Sequence, residues 1–282
     1  MGALSRIGLF TLHDKTTTNV EGPGYVRSLG LNAFELYSGK DLATPDPAVA
    51  RRVREEAEKH NVALPCLSAS CNLCGEKGKQ AAEQLMRYAE CAREAGVPLL
   101  HHTLYRELNP DAWFPSYEDA LEELVPRVRE IYDYAASLGV QCVYEDQGHV
   151  INGVERFGGF LKALDRPAGV VLDLGNTVFA GETADAFAAA FGDRIVHVHV
   201  KDFHIRPYDH PGSGCKYRLK NGLGAAPAIL GEGDTRLLDA LEILHRHDYK
   251  GYYMLECDAI RDARAEFPEH YRVLCSAIGN RP

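Results

Sequence analysis

Two histidines interrupt an otherwise aliphatic run, Ile195-Val-His-Val-His-Val-Lys-Asp-Phe-His204. Strand alternation puts His197 and His199 on one face with Ile195, and the three valines on the other. A parallel sheet buried on both sides asks for apolar residues on both faces, so this pair marks a face where chemistry has displaced packing. Acids close other apolar runs in the same way: Val143-Tyr-Glu145, Val170-Val-Leu-Asp173 and Met254-Leu-Glu256. Two glutamates, an aspartate and an imidazole suit a divalent ion of intermediate hardness, Mn²⁺ in the first place, with Co²⁺, Mg²⁺ or Zn²⁺ as alternatives. Without a cation, three carboxylates at one place would raise one another's pKa. Glu145, Asp173, His199 and Glu256 are therefore the candidate metal ligands. One such acid alone would be an ordinary helix cap.

These residues need elements that bring them to one place. Apolar segments at 6–11, 32–38, 63–68, 97–103, 140–145, 169–174, 195–200 and 251–257 read as eight strands. Each is followed by a helical segment, at 24–29, 45–60, 77–95, 117–138, 154–164, 183–191, 235–248 and 260–278. In 117–138 the apolar positions Leu121, Leu124, Val125, Val128, Ile131 and Ala135 recur at three- and four-residue spacing, with Ser116 as N-cap and Pro126 as a kink. Pro268 is expected to divide the last helix. Eight strand–helix pairs favour an α/β fold, a closed (β/α)8 TIM barrel formed as one domain over 1–282, with a long loop at 202–233 over the mouth. In such a barrel the candidate ligands end consecutive strands at the carboxyl rim, where barrels place their sites.

Composition narrows the partners. The 282 residues carry 31 Lys and Arg against 40 Asp and Glu, a net charge of −9, which opposes a phosphate backbone; no nucleic-acid partner is expected. No apolar run approaches the roughly 20 residues of a membrane span. The start, Met-Gly-Ala-Leu-Ser-Arg, lacks a secretory pattern, so the reading is cytoplasmic with no membrane partner. Of eight cysteines only Cys71-Asn-Leu-Cys74 has metal or redox spacing, and with no second pair it reads as a loop feature.

Further polar residues join the candidate site. His197 is a core histidine or an orienter of His199, one layer deeper. Glu35, within the second strand, is a candidate substrate contact or supporting residue, and His102, ending the fourth, a candidate substrate contact. From Lys201 to Lys220 the chain holds Lys201, Arg206, Lys216, Arg218 and Lys220 against Asp202 and Asp209. Arg218 is thus a candidate for an anionic substrate group, the alternative being a solvated lid. Tyr37, Tyr105, Trp113 and Phe203 could stack on a sugar face or pack between loops.

Glu145, Asp173, His199-Val-Lys-Asp202, Gly231-Glu-Gly233 and Glu256, in that order along nearly the whole chain, resemble the sugar phosphate isomerase/epimerase group of xylose isomerase-like barrels. That superfamily also includes inosose dehydratases, 3-dehydroshikimate dehydratases and endonuclease IV, whose three-metal site and basic groove the acidic chain does not match. The resemblance implies metal binding by Glu145, Asp173, His199 and Glu256, with Glu145 and Glu256 doubling as acid and base. It places Lys201 near substrate oxygens. Many relatives have a histidine where this chain has Asn176, which can hold a hydroxyl but cannot titrate.

A metal chelating a carbonyl and its neighbouring hydroxyl lowers the cost of an enediolate, so isomerisation or epimerisation of a sugar, keto-sugar or polyol, phosphorylated or not, is expected. Expulsion of a β-hydroxyl, with His149 as the acid, makes a dehydratase or lyase the alternative. A non-catalytic sugar-binding or accessory subunit is the third reading. A homo-oligomer is suggested by family analogy alone.

Overall fold

The structure is a computed structural model that describes residues 3–10, 16–256 and 263–279. Eight parallel strands close a barrel: β1 (Ile7–Phe10), β2 (Ala33–Tyr37), β3 (Cys66–Ala69), β4 (Leu99–His102), β5 (Gln141–Tyr144), β6 (Gly169–Asp173), β7 (Ile195–Val200) and, after a three-stranded insertion, β11 (Tyr253–Leu255). They pair in chain order, and β1 joins β11 to complete the circle. Around them lie α1 (Gly22–Ser28), α2 (Pro47–His60), α3 (Gly78–Ala95), α4 (Tyr117–Ser137), α5 (Val154–Leu164), α6 (Ala184–Phe191), α7 (Leu237–Arg246) and α8 (Ala263–Gly279). The chain thus forms the expected (β/α)8 TIM barrel.

Local signals explain the helices. In α2, Pro47 fills the first turn, where its missing N–H costs nothing, and Asp46 accepts the Ala48 amide at 2.8 Å. Ala50, Val53 and Ala57 then bury one stripe against the barrel, and Asn61 stops the helix in a left-handed conformation, φ 52°. Ser116 caps α4 through the Asp119 amide at 3.0 Å. Both internal prolines lie within continuous helices: α8 is not divided at Pro268, and α4 runs on past Pro126. Each removes one backbone hydrogen bond from a helix that tertiary packing holds together.

The strands are shorter than the apolar runs. Glu145 and Glu256 each lie one residue past a strand, and the Glu256 amide still donates to the Val200 carbonyl at 3.1 Å, which fixes its place at the rim. Thr11, Cys257 and 260–262 of the expected elements lie outside the described residues. Among the described residues no helix is long and apolar enough to cross a membrane.

Residues 202–233 are more than a loop. They form an antiparallel sheet of β8 (Phe203–Pro207), β9 (Tyr217–Arg218) and β10 (Leu223–Pro227), with β10 in the middle. A separate apolar cluster of Val178, Phe179, Phe203, Leu219 and Ala225 seats it on the barrel. Asp202 ties its base: Oδ1 accepts from the Phe203 amide and the Thr235 hydroxyl, and Oδ2 from the Gly231 and Gly233 amides. A Cβ on Gly233 would collide with Asp202 Oδ1, so the Gly231-Glu-Gly233 turn needs glycine at its end to close on this carboxylate.

Candidate metal centre and active site

Strand register stacks polar side chains inside the barrel. Ser68 pairs with His101, His101 with Val143, and Asp173 with His199, so these positions share the inward face. At the bottom of the stack is Glu35, fully buried. Its Oε1 lies 2.5 Å from Ser68 Oγ and 3.0 Å from His199 Nε2, and its Oε2 lies 2.8 Å from His197 Nε2. Burial pushes the carboxyl up, but the charges of His199 and His197 and their hydrogen bonds outweigh it and hold Glu35 well below the usual carboxylate range. A charged carboxylate only accepts, so all three partners donate to it.

That requirement orients His199. With Nε2–H committed to Glu35, Nδ1 faces Glu145 Oε2 at 3.2 Å and Glu256 Oε2 at 3.4 Å. Burial opposes a charged ring, yet Glu35 and the hydrogen bond to Glu145 raise His199 well above its usual value. On the far side Lys201 Nζ sits 2.7 Å from Asp173 Oδ2 and 3.4 Å from Glu256 Oε1. A Cβ on Gly175 would meet the Lys201 stem at 2.7 Å, so a bare backbone there lets the lysine lie across the carboxylates. Asp173 Oδ1 accepts from the Gly175 and Asn176 amides at 2.8 and 3.1 Å.

Burial raises Asp173 to about 7 despite Lys201, and Glu256 and Glu145 push the same way. Glu145 is held at about 2, a pH at which His101, brought down to about 4 by burial, is itself charged, and that charge together with His199 and Lys201 overcomes the burial of Glu145. Three acids therefore share too little positive charge, and the ligand atoms of Glu145, Asp173 and His199 lie within 4.8 Å of one another. This donor set fits a divalent cation, with Glu256 beside it. Two other groupings, Glu35–Cys66–His197 and Glu35–His101–His199, are as compact, but both Glu35 oxygens are engaged. Burial and the charge of Glu35 push the Cys66 thiol well above its usual value, so a thiolate ligand is disfavoured there.

Above the acids opens a cavity whose lining includes Phe10, Tyr37, Phe179, Phe203 and Tyr217, together with Arg106 at the rim. Asn176 lines it too, and its amide nitrogen is buried without a partner. Other sequence candidates fall elsewhere. Glu35 sits beneath the cavity as a support for His199 rather than in its wall. His102 is turned away: its ring packs edge-on against Tyr144 at 5.0 Å, and Nδ1 lies 3.0 Å from the Thr103 carbonyl. Its neighbour His101 lines the cavity instead, with Nδ1 2.8 Å from Ser68 Oγ. Strand parity with Glu145, two residues past the His101 partner Val143, was the signal for that choice.

His149 is wedged edge-on between Phe114 and Phe179, each 5.5 Å away, with Nε2 3.3 Å from the Leu108 carbonyl, outside the central cavity. Arg218 points outward and is ion-paired with Asp111, while Tyr217 takes the inward side of β9. Tyr105 and Trp113 do not line the cavity, and Trp113 is exposed. Cys71 donates to the Thr103 carbonyl at 2.9 Å, and neither Cys71 nor Cys74 joins a ligand cluster among the described residues. Arg218→Glu is accordingly expected to leave KM unchanged for any substrate the protein turns over, as steady-state kinetics would show.

The family model described as xylose isomerase-like TIM barrel matches residues 23–277. The chain belongs to that family. This xylose isomerase-like barrel is similar to inosose dehydratase 2 of one Bacillus cereus strain, 26% identical over 148 residues and spanning about half of each protein, 50% of this chain and 48% of that one. It is also similar to the inosose dehydratase of a second Bacillus cereus strain, AH820, 26% identical over 241 residues, 80% of this chain and 79% of the relative. Among solved structures, a xylose isomerase domain protein from Planctomyces limnophilus superposes with a TM-score of 0.78 at 16% identity, covering 98% and 99% of the two chains. D-psicose 3-epimerase from Clostridium cellulolyticum H10 gives 0.75 at 15% identity, covering 96% and 98%.

Proposed function

We propose that this barrel is a divalent-metal-dependent isomerase or epimerase acting beside the keto group of a sugar or polyol. The observation that carries the reading is the convergence of Glu145, His199 and Glu256 on the lining of an aromatic-walled cavity, with Asp173 clustered against Glu145 and His199. When bound, the cation would supply Lewis-acid polarisation of a substrate carbonyl. Mn²⁺ is our first choice for a carboxylate–imidazole set.

The chain's own groups would do the rest. Glu145 and Glu256 approach His199 from different strands, so one can take a proton from the carbon next to the carbonyl while the other returns one. Lys201, already 2.7 Å from Asp173, is placed to donate to a substrate oxygen. Phe10, Tyr37 and Tyr217 offer apolar faces for the sugar's C–H surfaces and exclude water.

Dehydration is the second reading, favoured by the inosose dehydratase likeness over four fifths of both chains. The two diverge after the same proton abstraction. Incubation in D2O with Mn²⁺ and a panel of ketohexoses, their phosphates, keto-inositols and 3-keto-glycosides separates them. A product of unchanged carbon skeleton carrying solvent deuterium next to the carbonyl supports isomerisation or epimerisation. Loss of one water supports dehydration, and no exchange with any of these substrates contradicts both.

A further inference from the structure

A chain of hydrogen bonds behind the metal site determines which nitrogen of His101 carries its proton. Glu35 is an acceptor, so the Ser68 hydroxyl spends its only hydrogen on Glu35 Oε1 at 2.5 Å. Ser68 Oγ can then only accept from the other neighbour, His101 Nδ1, at 2.8 Å. With the proton on Nδ1, Nε2 of the neutral ring is a bare lone pair. It is buried, has no hydrogen-bond partner, and belongs to a side chain lining the cavity. The nearest acid oxygen, Glu145 Oε1 at 3.6 Å, is also an acceptor and cannot satisfy it. His199 Nδ1 faces the other oxygen of that carboxylate, Oε2, and the two imidazole rings stand edge-on with centroids 5.4 Å apart, so His101 flanks Glu145 beside a candidate ligand.

We infer that His101 is a substrate-positioning residue whose Nε2 accepts a hydrogen bond from a substrate hydroxyl, with Ser68 and Glu35 holding the ring in that tautomer. The inference extends the reading of the site as a sugar or polyol enzyme. It gives the substrate a hydroxyl next to the group that Glu145 attends, a requirement that a deoxy analogue fails. A buried acceptor left unpaired is costly, so such an analogue is penalised at this position.

Nitrogen NMR on Mg²⁺-loaded protein with labelled histidine tests the tautomer without any turnover. The expected spectrum contains a ring protonated at Nδ1 and bare at Nε2 that vanishes in His101→Asn, and whose Nε2 signal shifts when a sugar or polyol of the panel is added. In His101→Asn the shorter amide keeps the Ser68 contact and empties the Nε2 position, whereas in His101→Gln the amide reaches it. The first is expected to lower kcat/KM about 3- to 10-fold, chiefly through KM, and the second to recover most of it. Metal content should be equal in all three proteins. A proton on Nε2, an Nε2 signal indifferent to every compound of the panel, or loss of metal from His101→Asn overturns the inference. A panel in which sugars shift the signal but none is turned over defeats the proposed reaction and leaves the His101 contact standing.

Discussion

Glu256→Gln should give a folded protein whose turnover of the identified substrate is lower by about 10²- to 10⁴-fold, the range for removing a general acid or base. The amide keeps the size and hydrogen-bonding reach of the carboxylate but cannot carry a proton between substrate positions. It also removes one negative charge from the group around Lys201 and His199, where Glu256 lies 3.4 Å from each. Two readouts separate these effects. If the residue moves protons, saturating Mn²⁺ will not restore kcat; if it only holds the cation, excess metal will. Full activity in the variant would remove Glu256 from the chemistry.

Glu35 is expected to matter as much to stability as Glu256 does to rate. Glu35→Ala would leave His197 Nε2, His199 Nε2 and Ser68 Oγ facing a void in the barrel interior. Removing one member of a buried charged network typically costs about 3–5 kcal/mol, because its partners stay buried and uncompensated. Urea denaturation should read this as a lower midpoint with little change in slope. Glu35→Gln fills the same volume and separates packing from charge. An amide cannot accept on both of its ends, so either His197 or the Ser68 and His199 pair loses its acceptor, and with the charge gone the hold on the Nε2–H of His199 weakens; metal affinity should fall about 10- to 100-fold, as for other carboxylates that orient a ligating histidine. Calorimetric titration of both variants with Mn²⁺ would show it. An unaltered midpoint in Glu35→Ala, with unaltered metal affinity in Glu35→Gln, would mean that the carboxylate supports nothing above it.

Much of this arrangement is legible in the sequence because strands impose a two-residue period. Glu145, Asp173, His199 and Glu256 each end an apolar run, and an acid that ends a buried parallel strand has few places to go other than the rim. At His101-His102-Thr103 the same period lets only one of the two histidines face inward, and the pairing of His101 with Val143, two residues before Glu145, makes it His101. What the period cannot reveal is partnership across the barrel. Glu35 stands one strand from Ser68 and three from His197 in pairing order, far from both in sequence, and only closure of the barrel makes it their common acceptor.

The three-stranded insertion was hidden for a different reason. Phe203-His-Ile-Arg-Pro and Leu223-Gly-Ala-Ala-Pro carry prolines, a glycine and little alternation, and their pairing depends on an anchor, Asp202, whose four hydrogen bonds come from turns as distant as Thr235. Arg218, attractive from charge alone, faces outward because its neighbour Tyr217 faces in.

Titration of EDTA-treated protein with Mn²⁺, beside Asp173→Asn, tests the central claim most directly. The expected result is one ion bound per chain by the wild-type protein, with affinity at least about 10-fold weaker once the aspartate becomes an amide. Absence of binding to the wild-type chain, or equal binding by both proteins, would contradict a metal centre built from Glu145, Asp173, His199 and Glu256.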